Sequence, residues 1–270
     1  SKLTEEDPTF TIKRDDEIKQ TLVFGMGETH IQIMTEKLQR KFGVNVFLKE
    51  PKIPYKETIK GTAKVEGKYK RQSGGRGQYG HCWIEISPLP RGKSFEFVDK
   101  IFGGAIPKQY VPAIEKGIRE AMQEGILASY PVTDIKVVLF DGSYHTVDSS
   151  EMAFKIAASM ALKKGMEEGG VILLEPIMNI EVTVPEEYMG DVMGNLNSKR
   201  GKILGVTSQG NKQLIKALIP LAEILHYGVD LGSITGGRGS FSMDFSHYEE
   251  VPSNITEEIV AKAKAESKKE

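Results

Sequence analysis

The sequence is poor in the residues that build disulfides, metal sites and membrane spans. Its single cysteine, Cys82, excludes an internal disulfide framework and favours a reducing, cytoplasmic setting. The five histidines are scattered without the spacing of zinc ligands. Apolar runs such as 171–174 fall far short of the roughly 18 residues that a membrane span needs, and the N-terminus lacks the apolar core of a signal peptide. The sequence therefore predicts no metal and no membrane.

Carboxylates are absent from residues 67–84, although the chain has 36 basic and 37 acidic residues and a formal net charge of -1. The positive charges of this stretch are carried by Lys68, Lys70, Arg71 and Arg76. Residues 62–66 and 82–86 alternate between polar and apolar, which predicts a hairpin. The glycines in and beside the turn allow the backbone to approach another molecule closely. They are Gly67, Gly74, Gly75, Gly77 and Gly80. Because the remaining surface is nearly neutral, we expect this hairpin tip to be the local contact with an anionic partner.

Composition and periodicity predict a multidomain α+β protein. A chain of 270 residues with 39% hydrophobic and 27% charged residues is typical of a globular protein of about two domains. Residues 176–245 read as β-α-β-β-α-β, the order of a ferredoxin-like sandwich. Residues 9–48 read as β-β-α-β, with the last strand at 44–48, and indicate a truncated copy of the same topology. Between them, the spacing predicts a helix over 111–124 and an alanine-rich helix from Ser149.

One motif formally suggests nucleotide binding. Residues 75–80 match G-x-G-x-x-G, but a dinucleotide site needs a helix after the glycines, and residues 81–86 alternate like a strand. The phosphate-binding pattern G-x-x-x-x-G-K-[ST] does not occur in the sequence. These observations argue against a nucleotide site in this chain.

His145 is a second candidate functional residue. It precedes a helix for which Asp148 is the predicted N-cap, with Glu151 completing a capping box. The positive end of a helix favours anionic neighbours such as phosphate. With Asp148, Ser149 and Glu151 nearby, an acid–base hydrolase is an alternative, although no nucleophile elbow or second activated partner accompanies the histidine. A plain loop residue is the other interpretation.

Several segments resemble one family. Residues 70–81 (KRQSGGRGQYGH) closely resemble the first tip loop of domain IV in bacterial elongation factor G, and residues 139–154 (LFDGSYHTVDSSEMAF) resemble the second. The similarity continues in collinear order through 103–107, 175–178, 188–192, 220–223 and 237–241. It therefore covers nearly the whole chain.

The resemblance implies a C-terminal fragment of a longer factor, organised as four segments. The implied segments are a truncated ferredoxin-like domain III at 1–52, a ribosomal-protein-like α/β domain IV at 53–170, a ferredoxin-like domain V at 171–250 and a C-terminal helix or tail at 251–270. In this family domain IV carries the long basic hairpin between the two ferredoxin-like domains.

The resemblance also implies partners and contact residues. The tip of domain IV would enter the decoding centre of the ribosome and promote movement of tRNA and mRNA, with the factor acting as a cytoplasmic monomer. The tip residues facing tRNA and ribosomal RNA would be Lys68, Lys70, Arg71, Gln72, Ser73, Gly74, Gly75, Arg76, Gln78, His145 and Asp148. In domain V, the residues facing ribosomal RNA would be Gly236, Gly237 and Arg238.

The same resemblance implies that this chain is not itself an enzyme. GTP and Mg²⁺ would bind the N-terminal part of the parent factor, and no cofactor or metal is expected here. Thr29 stands where the common form of the family has leucine, which leaves a paralogous or ribosome-recycling factor open. A stand-alone RNA-binding module is the alternative outside the family.

Overall fold

The computed structural model describes residues 2–15, 18–72 and 77–267, which form two compact units. One unit contains 1–54 and 176–246, and the other contains 55–175 and 247–270. The helices are α1 (Lys2–Glu6), α2 (Glu28–Phe42), α3 (Val111–Glu124), α4 (Glu151–Gly169), α5 (Met189–Ser198), α6 (Tyr227–Thr235) and α7 (Ser253–Ser267). The strands are β1 (Thr11–Asp15), β2 (Gln20–Phe24), β3 (Lys56–Ile59), β4 (Ala63–Arg71), β5 (Gln78–Pro88), β6 (Phe95–Asp99), β7 (Ile135–Ser143), β8 (Val171–Pro185), β9 (Lys202–Gln209), β10 (Lys212–Pro220) and β11 (Ser240–Glu250). This mixture of helices and separate sheets confirms the α+β, multidomain prediction.

In the 55–175 unit, α3 and α4 pack on a sheet of strand order β4-β5-β7-β6. β4, β5 and β7 are antiparallel neighbours, and β6 runs parallel to β7. The predicted helix over 111–124 is confirmed as α3, which ends at Gly125 with φ 66°. Its apolar stripe is buried against the sheet because residues three and four apart share a helix face. The buried members of that stripe are Ile114, Ile118, Ala121 and Met122.

A buried carboxylate fastens the segment that follows α3. Glu57 of β3 has no solvent exposure. Its two oxygens accept hydrogen bonds from the backbone N–H groups of Ile126, Leu127, Ala128 and Tyr130, at 2.6 to 3.2 Å. A buried charge is tolerated when several donors replace its water, and here those donors are main-chain groups. Glu57 therefore fixes the path of the chain between α3 and β7.

Helix α7 belongs to the same unit. The backbone N–H of Val251 donates to Leu173 O at 3.0 Å, which brings the end of β11 beside the start of β8. From there α7 packs Ile255 and Ile259 against Leu173 and Ala128. Of the two predicted alternatives for this end of the chain, a helix or a tail, the structure has a helix over Ser253–Ser267.

The 176–246 part of the other unit has the predicted ferredoxin-like order. The elements follow as β8, α5, β9, β10, α6 and β11, with strand order β11-β8-β10-β9 in the sheet. That arrangement is the split β-α-β sandwich. Alternating residues of β8 and β10 are buried with apolar residues of the helices, chiefly Ile180, Val182, Val184, Val192, Leu196, Ile215, Ile219, Tyr227 and Leu231.

The N-terminal segment has one strand fewer than predicted. β1 and β2 form a hairpin, and α2 ends at Gly43 with φ 67°. Its buried cluster consists of Phe10 and Met34, with Val23 and Leu38 partly buried. The strand predicted at 44–48 is wrong, because the structure has no strand there. Alternation alone does not make a strand, and these residues are exposed and pair with no strand in the described part of the chain.

Candidate nucleic-acid interface

The basic stretch forms the predicted hairpin. β4 and β5 pair in register from Ala63↔Ile86 to Arg71↔Gln78, so the strands run as far as the turn. Lys68, Lys70 and Arg71 are exposed and form no ion pair with any residue that the structure describes. In contrast Lys64, nearer the base, is 3.0 Å from the Glu85 carboxylate. Positive charge is therefore left uncompensated toward the tip.

Four of the predicted tip residues, Ser73, Gly74, Gly75 and Arg76, lie outside the described residues. Gln72 and Gln78 lie on either side of them and are exposed. The side-chain oxygen of Gln78 accepts a hydrogen bond from Tyr69 OH at 3.2 Å. This bond orients Gln78 from the neighbouring strand.

The second loop, residues 144–150 between β7 and α4, lies directly beside the hairpin. The Asp148 carboxylate accepts the N–H of Gly77 at 3.1 Å, and its main-chain oxygen accepts the N–H of Tyr79 at 2.9 Å. A bridge between Tyr79 and Ser149 extends the contact. A Cβ added to Gly77 would lie 2.9 Å from Asp148 Cγ, so a glycine is needed for this approach. The structure thus brings together the two segments that sequence reasoning singled out.

The predicted capping role of Asp148 is wrong. Helix α4 begins at Glu151, and its N-cap is Ser150, whose Oγ accepts the N–H of Ala153 at 3.2 Å. Ser150 has the extended backbone typical of an N-cap. Asp148 lies too early in the chain for that position, and its carboxylate binds the hairpin instead.

His145 organises its own loop. Its Nδ1 accepts the N–H groups of Val147 at 3.3 Å and of Asp148 at 3.2 Å. Its backbone N–H donates to Ser149 Oγ at 2.9 Å. An accepting Nδ1 places the proton of the neutral ring on Nε2. The side chain is 55% exposed, so it can present this N–H to a ligand. The Asp148 carboxylate, 3.3 Å from Nδ1, would form an ion pair only on a protonated ring.

A chain of polar side chains lies below the two loops. Ser143 Oγ is 2.7 Å from both Tyr79 OH and His81 Nδ1. The Glu66 carboxylate lies 2.9 Å from His81 Nε2, within ion-pair range but without an aligned hydrogen bond. Sequence reasoning missed Ser143 and Glu66, because polar residues on the open face of a sheet are too common to single out. Together these groups join β4, β5 and β7 where the second loop leaves the sheet.

Two glycines of the hairpin serve internal packing rather than a ligand. A Cβ added to Gly67 would lie 2.1 Å from Ala157 O, and one added to Gly80 would lie 2.3 Å from Ala153 O. Both contacts are with α4, whose alanines let the helix lie against the strands. The idea that these glycines face another molecule is therefore wrong for Gly67 and Gly80.

The 236–238 segment is a helix end. Gly236 and Gly237 have φ 59° and 79°, and the N–H of Gly237 donates to Gly232 O at 2.9 Å, which closes α6. The Arg238 guanidinium is 2.7 Å from the Glu187 carboxylate and lies over the Tyr188 ring at 4.6 Å. Its charge is therefore partly compensated, unlike that of Lys68, Lys70 and Arg71. Its contact with ribosomal RNA stays a prediction.

The described ranges hold neither a metal cluster nor a membrane span. No group of three or more His, Cys, Asp or Glu side chains among these residues is placed to hold a metal ion. No helix in 2–15, 18–72 or 77–267 is long and apolar enough to cross a membrane.

Three models of known protein domains match successive parts of the chain. Residues 1–50 match the model of elongation factor G domain III, residues 51–170 that of domain IV and residues 172–259 that of the elongation factor G C-terminus. The chain belongs to the elongation factor G family. The hairpin and the 144–150 loop both fall within the domain IV match. The chain is thus a translation elongation factor-type fragment.

A solved structure supports the same fold. A crystal structure of a protein from Thermus thermophilus is 45% identical to this chain and superposes with a TM-score of 0.87. The match covers 98% of this chain and 39% of that protein. The chain therefore spans well under half the length of this relative.

Proposed function

We propose that this chain is the ribosome-binding C-terminal portion of an elongation factor G-type translocase. The observation that supports this most directly is the joined tip. Asp148 fastens the second loop to Gly77 and Tyr79. The cations of the adjacent hairpin nearest its tip, Lys68, Lys70 and Arg71, form no ion pairs with other described residues. In the proposal, the tip enters the decoding centre and promotes movement of tRNA and mRNA during the GTP-driven step of protein synthesis. The factor acts as a monomer in the cytoplasm.

The chemistry of the tip suits an RNA contact. Lys68, Lys70, Arg71 and Arg76 would bind backbone phosphates, which position a protein on RNA without reading its sequence. The amide of Gln72 or Gln78 and the Nε2–H of the exposed His145 ring would supply hydrogen bonds to sugar or base groups. Because the two loops are tied by main-chain bonds, they would occupy the space vacated by tRNA as one unit.

The proposal gives this chain no chemical step. Its residues bind RNA and occupy the space vacated by tRNA, while GTP and Mg²⁺ are held by the N-terminal part of the parent factor. The hydrolase alternative for His145 gains no support from the geometry, because Nδ1 is engaged by backbone N–H groups and no described nucleophile is hydrogen-bonded to the ring.

The test uses a full-length factor that contains this chain. His145→Ala and Arg76→Ala should each slow translocation by roughly tenfold or more and leave GTP hydrolysis unchanged, because a hydrogen bond to a charged partner contributes about 1.5–3 kcal/mol. Translocation is measured by rapid kinetics of mRNA movement, and hydrolysis by phosphate release.

Lys64→Ala is the matched control, since this hairpin lysine is already paired with Glu85. Translocation at the wild-type rate in both tip variants would overturn the proposal. A salt-sensitive affinity for ribosomes that exceeds the affinity for generic RNA distinguishes a ribosomal factor from a stand-alone RNA-binding module. Assays of translocation and of ribosome recycling on the same factor separate the main factor from a paralogue.

A further inference from the structure

A third loop, residues 100–107, lies at the same end of the sheet as the two tip loops. β6 runs parallel to β7 and ends with Asp99 beside Leu139, after which Lys100 N–H donates to Leu139 O at 2.8 Å. Because the strands are parallel, the third loop leaves the sheet in the direction in which β7 continues toward its own loop. A Cβ added to Gly142 would lie 2.5 Å from Ile106 Cδ1, so the third loop packs against the end of β7.

The third loop is anchored at both ends. The N–H of Ile101 donates to Asp99 Oδ1 at 2.9 Å, and Ile106 is buried in the core of the unit. Beyond the loop, the Tyr110 ring stacks on Phe154 at 4.8 Å, and Tyr110 OH donates to Ser149 O at 3.4 Å. The hydrogen bond from Tyr110 to Ser149 ties the segment that follows the third loop to the second loop, which Asp148 fastens to the hairpin. The third loop is thus held in a fixed position relative to the tip.

Between these anchors, one aromatic side chain projects into solvent. Phe102 is 92% exposed. Gly103 and Gly104 follow with φ 65° and 75°, and a Cβ added to either would meet nothing within 4 Å. The space beside the ring is therefore open to a ligand, and the backbone there can be approached closely.

The third loop and the residues directly after it carry only positive charge. From residue 100 to residue 110 the sequence contains Lys100 and Lys108 and no carboxylate. Neither lysine forms an ion pair with a residue in the part of the chain that the structure describes. An exposed aromatic ring between uncompensated cations is the combination with which proteins bind unpaired nucleotides, the ring stacking on a base and the cations contacting phosphates.

We propose that Phe102 stacks on an unpaired RNA base, with Lys100 and Lys108 on the flanking phosphates. The inference rests on the proposed function, which supplies an RNA partner at this end of the unit, and extends the contact surface from two loops to three. Stacking explains the exposed ring better than a protein partner does, because a protein would need acidic groups to match both lysines. The contact tolerates any base, since every base has a face to stack on.

The test measures binding of this chain to a fluorescein-labelled single-stranded decaribonucleotide of mixed sequence, by anisotropy at low salt. Phe102→Leu removes the aromatic face and should weaken binding roughly five- to a hundredfold, whereas Phe102→Trp should keep or improve it. A 2-aminopurine placed in the same RNA should be quenched by the wild-type chain and not by the leucine variant. Phe47→Leu is the matched control, because Phe47 is 88% exposed in the other unit.

Three results of the RNA-binding assay would overturn the inference. They are absence of binding by the wild-type chain, equal affinity of wild type and Phe102→Leu, and equal losses in Phe102→Leu and Phe47→Leu. Loss of ribosome binding by Phe102→Leu with unchanged RNA affinity would instead assign the ring to a ribosomal protein and also overturn it. Ribosome sedimentation of a Lys70→Gln, Arg71→Gln variant runs in parallel. If only the Lys70→Gln, Arg71→Gln variant loses binding and Phe102→Leu does not, the proposed function stands and the stacking inference falls.

Discussion

Two carboxylates of the 55–175 unit bind backbone amides from a distant part of the chain, and they do so in opposite surroundings. Glu57 has no exposure and accepts N–H groups from residues 126–130. The Asp148 side chain is 25% exposed and accepts the single N–H of Gly77. Water can replace Asp148 but not Glu57 as a partner for these amides. The comparison indicates that Glu57 stabilises the unit, whereas Asp148 sets the shape of a surface.

The largest effect should come from Glu57→Gln. The variant keeps the shape of the side chain but replaces one accepting oxygen by an amide that faces N–H donors. Buried amides are then left without partners, and we expect the free energy of unfolding of the unit to fall by about 3 kcal/mol. Urea denaturation followed by circular dichroism measures the change.

The control for this variant is Glu96→Gln. Glu96 is paired with Lys136 at the surface, so its replacement should change the unfolding free energy by about 0.5 kcal/mol or less. Equal stability of the two variants would remove the distinction between Glu57 and a surface carboxylate.

A smaller and more local effect is expected for Asp148→Ala. Loss of the bond to Gly77 should speed hydrogen exchange of the Gly77 amide roughly fivefold, because a solvated hydrogen bond contributes about 1 kcal/mol. The unfolding free energy of the unit should fall by no more than that amount. Amide exchange followed by NMR makes the measurement residue by residue.

Asp148→Asn is the matched variant, because its remaining side-chain oxygen can still accept the Gly77 N–H. It should keep most of the protection. Unchanged exchange at Gly77 in Asp148→Ala would show that the carboxylate does not hold the two loops together.

The same contrast marks how far the sequence could predict this molecule. Periodicity and turn residues are local signals, and they correctly predicted α3, which ends at Gly125, and the β-α-β-β-α-β order after Pro176. The strand predicted at 44–48 failed because a strand depends on a partner that no local pattern supplies.

The site was predictable in its residues but not in its bonds. The local gathering of cations identified the hairpin, and a resemblance paired it with the 144–150 loop. That Asp148 binds Gly77 rather than capping α4, and that Gly80 accommodates that helix, depends on how distant segments pack. Glu57 gave no signal at all, since a glutamate in a short strand usually faces solvent.

Cys82, the single cysteine of the chain, can report which of the two carboxylates keeps the unit closed. It lies on β5 in the buried core. Burial raises the pKa of its thiol to about 12. At pH 8 the thiol is therefore neutral and inaccessible in the folded unit, and it should react with a thiol reagent only when the unit opens. Under conditions where reclosing outpaces labelling, the rate follows the free energy of opening. Glu57→Gln should then raise the rate roughly a hundredfold, in line with its loss of about 3 kcal/mol.

Asp148→Ala should give the smallest change, with Cys82 labelled at a rate within a few-fold of wild type, because the tip can loosen while the core of the unit stays closed. The pH dependence provides a control. The Cys82 thiol ionises near pH 8.5 in the unfolded chain but only near pH 12 in the folded unit. The free energy of unfolding is therefore unaffected by this group below about pH 8.5, and it falls by about 1.4 kcal/mol per pH unit as the pH rises from there toward 12. Cys82→Ala should lack this decline when denaturation is compared at pH 8 and pH 10. If Asp148→Ala accelerated labelling as much as Glu57→Gln does, the tip and the core would open together, and the two carboxylates would share one role.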